Sequence, residues 1–167
     1  MATLYDGINA EQRELIEGAQ VFFVASADPT LSGTSTGLGA VNVSPKGGVP
    51  LHIITPNHVA YLDYPGSGNE TARHATAGGP ITLMVSSFDE GDAAIVRLFG
   101  RAVVERLEES ELEERMLDSQ AAELVSAPRQ VVNVYIDKTQ TSCGYGVPVM
   151  SYVRDRRKED RGRRYKG

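Results

Sequence analysis

The sequence predicts a mainly β domain of the α+β class, built as an antiparallel barrel or sandwich. Six or seven segments have the β-branched and aromatic character of strands, whereas two clear helices and one short helix are predicted. Most predicted strands follow one another without an intervening helix, which favours antiparallel pairing over a doubly wound parallel sheet. The chain has 167 residues, 41% hydrophobic and 23% charged, so one globular domain of ordinary size is expected.

The first predicted elements are a capped helix and two strands. Asn9 is placed to cap a helix, because Gln12 three residues later completes a capping box. The apolar run at residues 21–25 predicts a buried strand, and a turn-rich loop separates it from a second strand at residues 40–43. Residues 44–48 (Ser-Pro-Lys-Gly-Gly) then predict a turn or bulge.

The remaining predicted elements have boundaries at glycine, proline or asparagine. They are a hairpin of strands over residues 51–55 and 59–64, a short helix over 72–77 after a glycine-rich loop, and strands over 81–86, 94–105 and 131–136. The strand over 94–105 is long enough to bend at Gly100. Before the last strand, and ending at Pro128, lies an amphipathic helix with Leu112, Met116, Leu117, Ala121 and Leu124 on one face.

Charge is distributed unevenly along the chain. Residues 154–167 contain eight of the 17 basic side chains but only three of the 22 acidic ones, so the rest of the chain is acidic. An acidic body disfavours nucleic acid as the main partner, because binding a polyanion needs a positive surface. We therefore expect a single domain over residues 1–153 followed by a basic tail over 154–167, without a nucleic-acid partner.

The cysteine and histidine content and the hydropathy of the chain exclude several classes of protein and of metal site. Cys143 is the sole cysteine, so neither a disulfide framework nor a multi-cysteine metal site is expected. The three histidines lack metal-ligand spacing, and we expect no metal site. No apolar run is as long as a membrane span, and the N-terminus lacks the features of a signal peptide. A cytoplasmic location without a membrane partner is expected.

The glycine-rich loop before the short helix has the composition of a phosphate-binding turn. Its glycines allow a close backbone approach, Ser67, Asn69 and Thr71 supply short polar side chains, and the helix begins with unpaired N–H groups. Arg73 and His74 can add positive charge. The loop matches neither the P-loop nor the dinucleotide fingerprint, and ordinary turn and cap residues are the alternative interpretation.

Two other basic side chains are candidates for binding an anionic ligand. Lys46 lies at the end of a predicted strand between small residues, where it can pair with a phosphate or with the pyrimidine edge of a flavin. An exposed turn lysine is the alternative. Arg97 interrupts the apolar run at residues 95–99, so it must either face solvent or pair with an anion.

Four blocks in order form a recognisable pattern: residues 22–25 (Phe-Phe-Val-Ala), 42–47 (Asn-Val-Ser-Pro-Lys-Gly), 61–74 (Tyr-Leu-Asp-Tyr-Pro-Gly-Ser-Gly-Asn-Glu-Thr-Ala-Arg-His) and 97–102 (Arg-Leu-Phe-Gly-Arg-Ala). Together they resemble the pyridoxamine 5′-phosphate oxidase-related FMN-binding proteins, and the segment 143–148 is typical of the same subgroup. The resemblance covers about residues 19–149, and the block 61–74 is its specific part. It implies a split β-barrel that forms a homodimer, with FMN at the subunit interface.

The resemblance also implies a set of cofactor-binding residues. Tyr61 and Leu62 match strand residues that line the flavin, and the stretch from Ser67 to Arg73 matches the turn that holds its phosphate. The oxidase usually has basic residues in this turn, where this chain has Thr71 and Ala72. The cofactor-binding residues predicted in this way are Ser44, Lys46, Tyr61, Leu62, Ser67, Asn69, Thr71, Arg73 and Arg97, and no catalytic residue is assigned.

The C-terminal region departs from the oxidase itself. The oxidase has an Arg-x-His pattern there that holds pyridoxine phosphate, but no histidine follows His74 in this chain. The resemblance therefore implies an FMN-dependent oxidoreductase with a different, unidentified substrate. The alternatives are a reductase that uses the deazaflavin F420 and a non-catalytic flavin-binding or storage module.

Overall fold

The computed structural model describes residues 2–31, 39–64, 68–118, 130–156 and 160. Within these ranges the chain is mainly β with a few short helices, as the sequence predicts. The strands are β1 (Thr3–Tyr5), β2 (Val21–Ala27), β3 (Val41–Gly47), β4 (His52–Thr55), β5 (His58–Asp63), β6 (Pro80–Ser86), β7 (Ala94–Arg106) and β8 (Gln130–Cys143). The helices are α1 (Ala10–Gly18), α2 (Glu70–Thr76) and α3 (Glu113–Asp118), with a 3-10 turn at Leu107–Glu109.

All eight strands belong to one sheet, in the order β3-β2-β6-β7-β8-β5-β4, with β1 also paired to β8. Every pairing is antiparallel, which confirms the preference predicted from the sequence. The 14-residue strand β8 joins the two sides of the sheet. It pairs with β7 along its length, while β5 and β1 pair with different parts of its other edge.

The buried apolar side chains form two clusters on opposite faces of β5 and β8. The larger cluster fills the barrel and includes Phe22, Val59 and Tyr61. The smaller cluster includes Leu62 and Met116 and packs beneath α3 and the 3-10 turn. Because successive side chains of a strand point to opposite faces, β5 contributes to both clusters.

Helix α1 begins as predicted. The Gln12 amide N–H donates to Asn9 Oδ1 at 2.9 Å, and the Asn9 N–H donates to Gln12 Oε1 at 3.2 Å, which completes the capping box. The buried Gln12 side chain also donates to Thr141 Oγ1 and accepts from Thr139 Oγ1, both at 2.9 Å. The same residue therefore caps α1 and joins it to β8.

The structure extends the predicted strands in three places. Strand β1 was absent from the prediction, because its three residues are too few to show an alternating pattern. Strand β3 continues to Gly47 through the predicted turn, with Pro45 opposite Phe23 in the edge pairing. Strand β8 continues beyond residue 136 to Cys143, because pairing with β7 and β1 holds its polar second half.

Parts of two predictions lie outside the described residues. Helix α3 includes Met116 and Leu117 of the predicted amphipathic helix, whereas Ala121 and Leu124 lie outside. Most of the predicted basic tail also lies outside, so the division at residue 153 stays a prediction. In the part of the chain that the structure describes, no helix is both long and apolar enough to cross a membrane.

The predicted bend in β7 coincides with an irregularity in the β7–β8 pairing. The register shifts between Phe99 and Gly100. A Cβ atom at Gly100 would lie 1.9 Å from the backbone oxygen of Tyr135, so no larger residue fits without moving β8. The close approach of the two backbones explains why glycine is needed here.

We expect Gly100→Ala to lower the free energy of unfolding by about 1–3 kcal/mol, because the new methyl group must displace backbone rather than a flexible side chain. Urea unfolding followed by circular dichroism measures this change. The matched control is Gly91→Ala, since a Cβ there meets nothing within 4 Å. Equal stability of the two variants would contradict the packing argument.

Candidate ligand-binding site

Strand β3 presents its predicted site residues on the inner side of the sheet. Ser44 and Lys46 pair in register with Val24 and Phe22 of β2, both of which belong to the barrel core. Asn42 lies on the same face of β3, and all three polar side chains are half-buried. The edge strand therefore brings a short row of polar groups to the rim of the apolar core.

Lys46 forms an ion pair with a residue that sequence analysis did not select. Its Nζ lies 2.6 Å from Asp63 Oδ1, and the two side chains are 21% and 13% exposed. The same Nζ lies 5.8 Å from the centroid of the Tyr61 ring, within the range of a cation–π contact. The pair is largely shielded from water, so its attraction is stronger than that of a surface pair.

Asp63 is held from a second side by Gln130. The Gln130 Nε2 group donates to Asp63 Oδ2 at 2.8 Å and to Asn69 Oδ1 at 3.0 Å. Asp63 and Gln130 are also direct partners in the β5–β8 register. Lys46, Asp63, Gln130 and Asn69 thus form one continuous chain of polar contacts, called here the Lys46–Asn69 network.

The predicted polar residues at the start of α2 lie at the other end of this network. The Asn69 side chain makes no helix cap bond and accepts from Gln130 instead. Asn42 Nδ2 donates to Thr71 Oγ1 at 3.3 Å, which links β3 directly to α2. The Arg73 side chain is 64% exposed and forms an ion pair with Glu70 at 3.5 Å. Ser67 lies outside the described residues.

His74 anchors α2 to β2. Its ring is buried, with Nδ1 2.9 Å from Ser26 Oγ and Nε2 2.7 Å from the Gly39 carbonyl oxygen. A carbonyl oxygen can only accept, so Nε2 carries a proton and donates to it. Both ring nitrogens are therefore hydrogen-bonded to protein groups. His74 positions the helix and has no ring N–H left to donate to a ligand.

Tyr61 and Leu62 lie on opposite faces of β5. The Tyr61 ring is fully buried in the barrel and packs edge-on against Phe22, with ring centroids 5.3 Å apart. Its hydroxyl is buried and has no hydrogen-bond partner among the described residues. Burial, and then the nearby Asp63 carboxylate, raise the pKa of this hydroxyl well above its ordinary value. Leu62 packs in the smaller cluster with Met116.

Arg97 is not brought to this site. Arg97 is the register partner of Met84, and Met84 is the register partner of Phe23. Register partners lie on the same face of a sheet, so Arg97 is on the face of Phe23, opposite to that of Phe22 and Lys46. Its Nη1 donates to Ser142 Oγ at 2.9 Å, and the side chain is half-buried. Its role in binding a cofactor stays a prediction.

A cleft of about 1000 Å³ lies along α2, from Asn69 to Ala77. The acidic residues in it have partners: Glu105 accepts from Ser110 and Asn133, and Arg106 pairs with Glu108 and Glu109. Arg73 is consequently a cation that the cleft can offer to an anionic group. The cleft is lined by Asn69, Ala72, Arg73, Thr76, Ala77, Val104, Glu105, Arg106, Glu108, Glu109 and Gln130.

A second cleft of about 940 Å³ separates α1 from the segment after β8. Carboxylates of Glu11, Glu14, Asp89 and Asp92 line it together with apolar groups, and none of the predicted site residues does. In the described ranges of the chain, no group of three or more histidine, cysteine or acidic residues is arranged to hold a metal ion.

Comparison with known proteins identifies relatives. The pyridoxamine 5′-phosphate oxidase family protein ustO of Aspergillus flavus is 34% identical over 158 residues, which are 93% of this chain but 59% of that protein. The resemblance to the pyridoxamine 5′-phosphate oxidase-related proteins is confirmed. The chain spans little more than half of that curated relative, and no family model matches it.

Solved structures from the same group share the fold. A candidate pyridoxamine 5′-phosphate oxidase from Lactobacillus delbrueckii has a TM-score of 0.57 at 21% identity, covering 81% of this chain and 94% of that one. A Clostridium acetobutylicum protein of the pyridoxinephosphate oxidase family, related to general stress protein 26, has a TM-score of 0.51 at 10% identity, covering 80% and 86%. These matches confirm the predicted split β-barrel.

The block at residues 61–74, which resembles the pyridoxamine 5′-phosphate oxidase-related proteins, supplies much of the candidate site. It contains Asp63, Asn69, Thr71 and Arg73, which the structure gathers at one end of β5 and at the start of α2. Gln130 comes from a distant part of the chain. No motif marks it, and only its place at the start of an apolar strand could have drawn attention to it.

We expect His74→Ala to lower the free energy of unfolding by about 1–3 kcal/mol, because Ser26 and the Gly39 carbonyl lose a buried partner. Amide hydrogen exchange should also become faster in α2. The control is Thr76→Ala on the exposed side of the same helix, which should change stability by less than about 0.5 kcal/mol. Unchanged exchange in α2 of His74→Ala would show that the histidine does not anchor it.

Proposed function

We propose that the chain is an FMN-binding flavoprotein that acts as an oxidoreductase. The observation that carries the proposal is a cleft lined by Asn69 and Arg73. Behind its wall the Lys46–Asn69 network brings Lys46 close, and Thr71 follows at the start of α2. These residue types bind the phosphate of a flavin mononucleotide through charge-assisted hydrogen bonds. The confirmed resemblance to pyridoxamine 5′-phosphate oxidase-related proteins gives such a site its most direct interpretation.

The residues around the cleft fit this cofactor. Arg73 offers an exposed guanidinium, and Asn69 and Gln130 offer polar groups along the wall. The Tyr61 hydroxyl, in the barrel core next to this site, has no partner among the described residues, which is costly unless a further group satisfies it. In the proposed complex Arg73, Asn69 and Thr71 hold the phosphate, Lys46 lies on the phosphate side behind the cleft wall, and Tyr61 lies toward the ring. A bound flavin accepts a hydride at N5 and passes the electrons to an acceptor.

The substrate of this activity is proposed to differ from pyridoxamine 5′-phosphate. The chain has no histidine after His74, so it lacks the Arg-x-His pattern implied for substrate binding in the oxidase. Moreover, the segment that follows β8 turns at residues 144–147 and is exposed at Tyr145, Val149 and Val153. We infer that these differences change the group that is oxidised or reduced while the chemistry of the cofactor is retained.

We propose further that the protein is a homodimer with the flavin at the subunit interface. Val41 and Val43 on the outer face of β3 are 64% and 65% exposed. The neighbouring Phe23 is on the same face and is also incompletely buried. A second copy of the chain would cover these apolar groups, which are unfavourable in water. This arrangement is the one that the resemblance implies.

The first prediction from the proposed function is that FMN binds and that its fluorescence is quenched on titration. Arg73→Ala should weaken FMN binding by about tenfold or more, because a charge-assisted hydrogen bond to the phosphate is lost. Riboflavin, which lacks the phosphate, should bind both proteins equally. Arg13→Ala, which removes an exposed arginine on α1, is the matched control. Absence of any flavin binding, or binding of F420 alone, would contradict the FMN assignment.

The second prediction is a dimer at micromolar concentration in sedimentation velocity. Val43→Glu should shift the protein toward monomer, because it places a charge in the proposed apolar interface. Arg13→Gln on α1, which also changes the net charge by −1, is the control for charge. A wild-type monomer that still retains flavin would contradict the proposed interfacial site.

A further inference from the structure

The Lys46–Asp63 ion pair has a consequence for ligand binding. A lysine that serves an anionic ligand needs its positive charge available, but Lys46 already has a carboxylate at 2.6 Å. Since both side chains are mostly buried, water weakens their attraction less than it does for a surface pair. The charge of Lys46 is therefore largely balanced within the protein.

Asp63 is also fixed in this position. Its second oxygen accepts from Gln130, a buried residue whose amide group also donates to Asn69. The antiparallel register of β5 and β8 places Asp63 and Gln130 opposite each other. The carboxylate is thus held by a side-chain donor on one side and by the lysine on the other, so it does not turn away from Lys46 without losing a contact.

Arg73 and Lys46 therefore differ in how available their charges are to a ligand. Arg73 is 64% exposed, and its ion pair with Glu70 is long, at 3.5 Å. Lys46 lies behind the cleft wall that Asn69 and Gln130 form, in close contact with Asp63. An anion that enters the cleft meets Arg73 directly, whereas it gains Lys46 only in competition with Asp63.

We propose that Asp63 is a specificity-determining residue that competes with the anionic group of the ligand for Lys46. This inference rests on the proposed function for the identity of the ligand, a phosphate monoester attached to a flavin. On this proposal Asp63 weakens phosphate binding. The affinity for the cofactor is then lower than Lys46 and Arg73 would give in its absence.

The competition predicts a gain of affinity when the charge of Asp63 is removed. Asp63→Asn keeps the shape of the side chain and an oxygen that can accept from Gln130. It should bind FMN about threefold to tenfold more tightly than wild type, while riboflavin affinity changes by less than about twofold. In the Lys46→Met background, the same substitution should give no gain, because the lysine that it releases is absent.

The control for net charge is Asp92→Asn, an exposed carboxylate in the other cleft, which should leave FMN affinity unchanged. Melting temperatures of all variants show whether each is folded. FMN affinity of a folded Asp63→Asn that is equal to or weaker than that of wild type overturns the proposal. So does a gain that persists in the Lys46→Met background.

A second measurement decides the outcome if Asp63→Asn does not fold. The double variant Lys46→Met/Asp63→Asn removes both charges and leaves no unpaired buried ion. If the competition operates, the double variant should bind FMN within about threefold of wild type, because Lys46 adds little net attraction while Asp63 is present. A loss greater than tenfold overturns the proposal.

Inorganic phosphate separates this inference from the proposed function. If wild type binds neither FMN nor riboflavin, the proposed function fails. The effect of inorganic phosphate on the melting temperature then still tests whether Asp63 competes with an anion for Lys46. A larger phosphate-dependent rise for Asp63→Asn than for wild type, absent in the double variant, supports the competition. Equal rises overturn it.

Discussion

The structure depends on strands that are covered on both faces. Val59 and Tyr61 of β5 enter the barrel core, while Ala60 and Leu62 enter the smaller cluster. A slip of one residue would exchange these two sets, so the pairing of β5 with β8 is strongly specified. This register places Asp63 opposite Gln130 at the end of the strand. The Lys46–Asn69 network is therefore positioned by the packing of the core rather than by the loop beside it.

The sequence predicts the elements whose signals are local. The Asn9 capping box and the apolar run of β2 each need only a few neighbouring residues, and both are present. The glycine at which a bend was predicted in β7 likewise marks a register shift. Strand β1 has too few residues for such a signal, and the second half of β8 is polar. The two segments pair with each other, and β8 also pairs with β7. Strand β3 runs through the predicted turn because pairing with β2 outweighs the preference of Pro45 for a turn.

The candidate site is predictable in part for the same reason. Residue type and loop composition indicate Lys46, Asn69, Thr71 and Arg73, which the structure brings near one another. Gln130 is separated from Asp63 by 67 positions, and no local pattern links them. The outward position of Arg97 was within reach of the sequence, since it alternates with the apolar Val96 and Leu98. Pairs made by distant strands are thus what single-sequence reasoning does not supply.

The place of β8 in the sheet also bears on how a nascent chain folds. Among the described strands, β5 is hydrogen-bonded to β4 and β8 and to no member of the group β3-β2-β6-β7. Until Gln130–Cys143 emerges from the ribosome, the β4–β5 hairpin and that four-stranded group have no common ladder to join them. Closing the barrel is then a late, non-local event, which is intrinsically slow. During synthesis the edge of β5 remains exposed, and a chaperone or another nascent chain can reach it before β8 does.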